Sequence, residues 1–149
     1  MKILMVCLGN ICRSPLAEGI LAQKTQHLNI FVDSAGTAGY HVGNLPDPRS
    51  IEIAKKHNIN LRNQRARQFS RTDFEKFDLI YAMDKSNYAH LTSLAENKEE
   101  RKKIRMILNE INPNTYESVP DPYYGGENGF QNVYNMLEKA CKKIAKQIE

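Results

Sequence analysis

Five residues separate a cysteine from an arginine in Cys7-Leu8-Gly9-Asn10-Ile11-Cys12-Arg13-Ser14. In a curled loop, a thiol and a guanidinium at that spacing both face the centre, an arrangement suited to attack on a bound phosphorus. The planar guanidinium offers two parallel hydrogen bonds to phosphate oxygens, which lysine cannot reproduce. A free thiol titrates near pKa ~8.5, but loop amides, a helix N-terminus and a nearby arginine all favour the thiolate. The Ser14 hydroxyl is placed to donate a hydrogen bond to the sulfur. Gly9 gives the chain freedom for a tight curve, and Asn10 tolerates left-handed backbone. Leu8, Gly9, Asn10, Ile11, Cys12, Arg13 and Ser14 are therefore the candidate phosphate-binding residues, their N–H groups turned inward as an anion nest. The nucleotide-binding patterns G-x-x-x-x-G-K-[ST] and G-x-G-x-x-G are both absent.

Such a loop needs a strand to deliver it and a helix to receive it. Lys2 to Val6 is a short apolar run that suits a buried strand. Ser14-Pro15 then opens a helix, with serine as N-cap and proline at the first helical position, running toward about His27. A second strand is expected over Asn29 to Ser34, a third over Asp78 to Met83 and a fourth over Ile104 to Leu108. Pro48 to His57, Asp73 to Phe77 and Ser86 to Ala95 read as helices. In the last segment Phe130, Val133, Leu137, Cys141, Ile144 and Ile148 share one helical face. Alternating strands and helices imply one α/β domain, residues 1–149, with a parallel four-stranded sheet covered by helices. Ligands of such sheets bind beyond the carboxyl ends of the strands, where the Cys7 loop lies.

Composition narrows the classes. The chain has 149 residues, 41% of them hydrophobic, enough for a real core. No stretch approaches the ~18 apolar residues of a membrane span, and the apolar start meets Gly9-Asn10 rather than a cleavage site. A cytoplasmic protein without a membrane partner is expected. The net charge of +4 is modest, and the run Lys98-Glu99-Glu100-Arg101-Lys102-Lys103 mixes signs, as a solvated helix surface does. No basic-aromatic pattern points to nucleic acid. Three cysteines cannot form a fully paired disulfide framework, and Cys7 with Cys12 lack partners for a structural zinc site, so no metal is expected.

The segment Val6-Cys7-Leu8-Gly9-Asn10-Ile11-Cys12-Arg13-Ser14-Pro15 resembles the signature of low-molecular-weight protein tyrosine phosphatases. The resemblance extends through Asp33-Ser34-Ala35-Gly36-Thr37, Ala66-Arg67-Gln68, Met83-Asp84 and Asp121-Pro122-Tyr123-Tyr124. It implies a flavodoxin-like, phosphotyrosine protein phosphatase I type fold with helices on both faces of the open sheet. The implied reaction is hydrolysis of protein phosphotyrosine and small aryl phosphates through a cysteinyl-phosphate, with inorganic phosphate released and no cofactor. The sequence does not fix the oligomeric state, and a monomer is expected. Cys7 is then the nucleophile, Arg13 the phosphate clamp, and Asp121 the general acid and later base. On spacing alone Asp121, between two prolines, would be a turn residue.

The resemblance also implies that Tyr40, Tyr123 and Tyr124 wall the substrate pocket, that Ser34 supports Asn10, and that Asp84 supports the site, though Asp84 equally suits a helix cap. Cys7 and Cys12 form a reversible redox pair in the family, which protects a nucleophile from over-oxidation. Gln64 departs from the family by replacing a histidine of the supporting network, which removes a titrating group. Three other readings compete. Arsenate reductases of this fold relay electrons through further downstream cysteines, and here only Cys141 is available. Arginine phosphatases of the fold usually carry threonine where Ile11 stands. A catalytically silent phosphate-binding module would often lack the nucleophile or the acid, and this chain has both.

Overall fold

A computed structural model describes residues 1–149. Four parallel strands, β1 (Lys2–Cys7), β2 (Phe31–Gly36), β3 (Leu79–Ala82) and β4 (Ile104–Met106), lie in the order β2-β1-β3-β4. Six helices accompany them: α1 (Arg13–Lys24), α2 (Pro48–Lys55), α3 (Asp73–Lys76), α4 (Lys85–Leu94), α5 (Lys98–Lys103) and α6 (Gly129–Ile148).

β1 is an interior strand of the sheet, and its side chains alternate between two cores. Ile3, Met5 and Cys7 pack with Leu16 and Ile20 of α1 and with Val133, Leu137 and Ile144 of α6. Leu4 and Val6 face the opposite way, toward Phe69, Phe74 of α3 and Leu91 of α4. Burial on both faces explains why β1 reads as an unbroken apolar run instead of an alternating one. Each buried aliphatic side chain here contributes about 2 kcal/mol of transfer free energy. Cys7, the last residue of β1, is thus anchored by its own strand.

Several boundaries differ from the sequence expectation. β2 runs two residues later than 29–34, because pairing begins where β1 begins, at Lys2 opposite Phe31. Its far end, Gly36, lies opposite Cys7, and a Cβ there would come within 2.7 Å of the Leu8 carbonyl oxygen, so glycine is required under the loop. α1 begins at Arg13, so Ser14 lies inside the first turn rather than capping it. β4 ends at Met106 and tightens into a 3-10 turn over Ile107–Glu110. The mixed-charge run does form a helix, α5, with no buried residue.

The sheet order creates a switch point. From β1 the chain crosses through α1 to β2 on one side, and β3 pairs on the other side of β1. The crevice at the carboxyl end of β1 is the expected ligand position in such a fold. No helix is long and apolar enough to cross a membrane.

Candidate active site

The Cys7 loop curls between β1 and α1 around its own sulfur. The Asn10 amide donates to Cys7 Sγ at 3.3 Å, and Ser14 Oγ lies 3.0 Å from the same sulfur. Asn10 adopts φ 58°, in the left-handed region, and this turns the chain back toward the sulfur. The N–H groups of Leu8, Gly9, Ile11 and Cys12 donate to no protein acceptor. An anion at the centre of the loop would meet them together with the N-terminal end of α1.

Asn10 also fixes the curl from outside. Its Nδ2 donates to Ser14 Oγ (2.8 Å) and Ser34 Oγ (3.0 Å), and its Oδ1 accepts from the Arg67 amide (3.0 Å). Ser34 passes the chain on, donating to Glu18 Oε1 at 2.6 Å. Burial pushes the Glu18 carboxyl up to about 7, with Asp33 adding to the rise and the Ser34 bond and Arg67 opposing it. The Arg67 guanidinium is held in turn by Asp73 and Asp33. After β2, Thr37 and Ala38 donate their amides to the carbonyls of Cys7 and Leu8.

Arg13 is buried beneath the cavity. One nitrogen, Nη1, donates to Asp84 Oδ2 at 2.7 Å and to the Val119 carbonyl at 2.9 Å. Its other nitrogens make no hydrogen bond to the protein and remain available for an anion. Asp84 has both functions considered for it: Oδ1 accepts from the Asn87 amide to cap α4, while Oδ2 holds Arg13.

Above the loop lies a cavity of about 120 Å³, lined by Cys7, Leu8, Gly9, Ile11, Cys12, Arg13, Tyr40, His41, Asp121 and Tyr123. Cys7, Arg13 and Asp121 therefore converge, although 114 positions separate Cys7 from Asp121. Asp121 caps a 3-10 turn, accepting from the Tyr123 amide at 3.0 Å. Cys7 and Cys12 are both free thiols. The Cys12 thiol is pushed up to about 12, chiefly by burial, with Asp47, Cys7 and Asp121 adding to the rise and Arg49 opposing it, so it stays protonated beside Cys7. A roomier cleft of about 580 Å³, lined in part by Glu18, Asp33 and Gln64, contains no cysteine.

One expectation needs correction: Tyr124 does not line the cavity. It is 89% exposed and points to solvent, because the 3-10 turn sends consecutive side chains in different directions. Gln64 does not join the Asn10 cluster. Its Nε2 donates to the Pro15 carbonyl, and its Oε1 is buried without a partner. Tyr40 stands at the cavity mouth, 76% exposed.

Sequence reasoning missed His41, which lies against Gly9 and edge-on to Tyr40, and it missed Glu18, Arg67, Asp47 and Arg49. For His41 the adjacency to Tyr40 was the available signal, and for Arg67 its place in the Ala66-Arg67-Gln68 segment that carries the resemblance. The others act through tertiary contacts that no local pattern encodes.

Over residues 2–149 the chain matches the family model described as Low molecular weight phosphotyrosine protein phosphatase. The low molecular weight phosphotyrosine protein phosphatase of Schizosaccharomyces pombe is 38% identical, with 99% of this chain and 96% of that protein covered. A solved protein tyrosine phosphatase from Entamoeba histolytica with Hepes in its active site aligns at TM-score 0.91 and 39% identity, over 99% of this chain and 96% of that one. A Drosophila arginine phosphatase aligns at TM-score 0.91 and 34% identity, covering 100% and 98%. Sequence, topology and the furnished phosphate loop agree: the chain belongs to the low molecular weight phosphotyrosine protein phosphatase family.

Proposed function

We propose that the protein hydrolyses protein phosphotyrosine and small aryl phosphates through a covalent intermediate on Cys7. The observation that carries this reading is the convergence of a hydrogen-bonded sulfur, unpaired loop amides, Arg13 and Asp121 on one small cavity. The Cys7 thiolate attacks phosphorus in line with the ester oxygen. The S–P bond forms as the P–O bond breaks, and the bonding pair goes to the phenolic oxygen. Asp121, entering as the carboxylic acid, protonates that oxygen, whose conjugate acid has a pKa of about 10. Arg13 and the loop amides meet the equatorial charge.

In the second step Asp121, now a carboxylate, takes a proton from water. The water oxygen attacks phosphorus, the S–P bond breaks, and the pair returns to Cys7 as thiolate while phosphate leaves. Ser14, 3.0 Å from the sulfur, is placed to steady that leaving thiolate. Tyr40, Tyr123 and Ile11 suit an aromatic leaving group, and the apolar Ile11 supports phosphotyrosine over phosphoarginine. Residues 1–149 would work as one domain, as a monomer in the reducing cytoplasm, where Cys7 and Cys12 stay thiols except under oxidative stress.

Turnover of an aryl phosphate and of phosphoarginine, in chelator and reductant across mildly acidic to neutral pH, tests the reading. Cys7→Ser should abolish turnover of the aryl ester, and Asp121→Asn should lower it by about 10²-fold or more. Faster hydrolysis of phosphoarginine would reassign the substrate. Phosphate binding without any turnover would make the protein a silent binding module.

A further inference from the structure

We infer that Arg49 is a positioning residue for Asp121, acting through the ring and amide of Tyr123. The inference rests on the proposed role of Asp121 as proton donor. From Tyr123 to Asn128 every residue is exposed, and the segment contains Gly125 and Gly126. Packing alone therefore holds this stretch weakly. Its side-chain tie to the rest of the molecule is the Arg49 guanidinium, whose Cζ lies 4.4 Å from the centre of the Tyr123 ring and 4.6 Å from that of Phe130. A planar cation between two rings joins both ends of the glycine-containing segment.

The guanidinium is itself locked. Asp47 accepts from Arg49 Nε and Nη2 at 3.1 Å each, and from the Arg49 amide at 2.8 Å. Asp47 is nearly buried and caps α2, and its own amide donates to the Ile11 carbonyl at 2.7 Å. A continuous path thus runs from the phosphate loop through Asp47 and Arg49 to Tyr123. The Tyr123 amide then donates to Asp121 Oδ1. The other side of Asp121 is fixed independently, since the Val119 amide donates to Met83 and its carbonyl accepts from Arg13. Arg49 does not line the Cys7 cavity, and Asp47 matches its charge, so its place is behind the acid rather than on the substrate.

A misplaced proton donor has a distinctive signature. The loss grows as the leaving group becomes poorer, and binding of the phosphate itself is untouched. The experiment compares kcat/KM for phenyl phosphate and nitrophenyl phosphate, and the inhibition constant of inorganic phosphate, in Arg49→Ala, Arg49→Lys and Phe130→Leu, each with and without Asp121→Asn. Arg49→Ala should lower kcat/KM for phenyl phosphate by about 10- to 100-fold, with a much smaller loss for nitrophenyl phosphate. Arg49→Lys should share most of that loss, because it keeps the charge but not the plane, and Phe130→Leu should show a smaller loss of the same kind. Added to Asp121→Asn, none of them should cost anything further.

An equal factor on both esters, an undiminished loss on top of Asp121→Asn, or weakened phosphate inhibition would overturn the inference. Asp121→Asn that turns over phenyl phosphate like the wild type would instead overturn the proton-donor assignment itself, and this inference with it. If Arg49→Ala does not fold, Arg49→Lys and Phe130→Leu carry the same comparisons.

Discussion

The phosphate loop and the acid-bearing turn face each other across one cavity and are held by different means. Asn10 makes three side-chain hydrogen bonds to three separate segments, and Ser14, Ser34 and Arg67 extend them inward. Asp121 is held by the Tyr123 amide, by a neighbouring strand contact at Val119 and by rings stacked on one exposed arginine. The difference follows from what each does in the proposed reaction. The loop meets a phosphate whose geometry is the same for every substrate, so a rigid, preorganised nest lowers the barrier without reorganisation. The turn meets an aromatic ring attached to a variable chain, and proton transfer needs position only once that ring is seated.

The largest effect that would break this contrast is at Asp84. Asp84→Ala removes the carboxylate partner of buried Arg13 and the cap of α4 together. Leaving a buried cation unpaired costs about 3 kcal/mol, and loss of a cap about 1 kcal/mol more. Urea unfolding should show a drop of that order, with weaker inhibition by inorganic phosphate. Asp84→Asn can keep the cap and should recover only the smaller part. Unfolding and phosphate inhibition at wild-type values in Asp84→Ala would mean that the floor is not held as described.

Next comes Asn10→Gly, which keeps access to φ 58° and deletes only the side-chain bonds. Three hydrogen bonds at about 1 kcal/mol each suggest a loss near 2–3 kcal/mol in stability. Turnover should fall about 10- to 100-fold as the nest loosens. Asn10→Ala should be worse than Asn10→Gly, because alanine adds backbone strain at that φ. The reverse order would make the conformation, and not the bonds, irrelevant to the loop.

These same residues separate what could be read in the chain from what could not. The Cys7 loop, its strand and its helix were legible because all of their determinants lie within about twenty consecutive residues, and an apolar run, a glycine and a helix-opening proline each have local meaning. The α/β alternation and the four strands were legible for the same reason, apart from the two-residue offset of β2 and the early end of β4 at Met106. That offset depends on pairing with β1, which no local pattern reports. Asp121 was visible by family resemblance only, since its own neighbourhood says turn. Arg49 was invisible, because stacking between Tyr123 and Phe130 depends on where α2 docks. Tyr124 was misjudged because adjacent tyrosines look equivalent until the 3-10 turn separates their directions.

Glu18 sharpens the comparison through pH. It is the outer end of the bonded chain from Cys7 through Ser14, Asn10 and Ser34. Burial disfavours the charge and pushes its carboxyl up to about 7 from an ordinary 4.5. Between those values the folded state holds a proton that the unfolded state has released. Folding stability attributable to this group therefore falls as pH rises through that window, and levels off above it. Glu18→Gln removes the titration while keeping an oxygen for the Ser34 hydroxyl. The variant should match the wild type near pH 5 and gain stability progressively to pH 8, by at most about 3 kcal/mol. Thermal unfolding at a series of pH values checks the sign. A gain confined to acidic pH would contradict a raised carboxyl.

The smallest expected effect separates the two neighbouring tyrosines of the rim. Tyr123 lines the cavity, covers one face of Arg49 and donates its amide to Asp121, whereas Tyr124 extends into solvent. Tyr124→Ala should change stability by no more than about 0.5 kcal/mol, as for other exposed positions, and leave turnover of a small aryl phosphate within about twofold. Tyr123→Ala should cost several times more, because it removes a cavity wall and loosens the arginine that steadies the turn. Measuring both on a small ester and on a phosphotyrosine peptide adds a second axis. A small ester ends inside the cavity, so only Tyr123 can contact it. A peptide continues past the mouth and can reach Tyr124. A loss in Tyr124→Ala with the peptide but not with the small ester would assign that side chain to the chain around the phosphotyrosine. An equal loss with both would put Tyr124 on the phosphate side of the rim, against the direction in which it points.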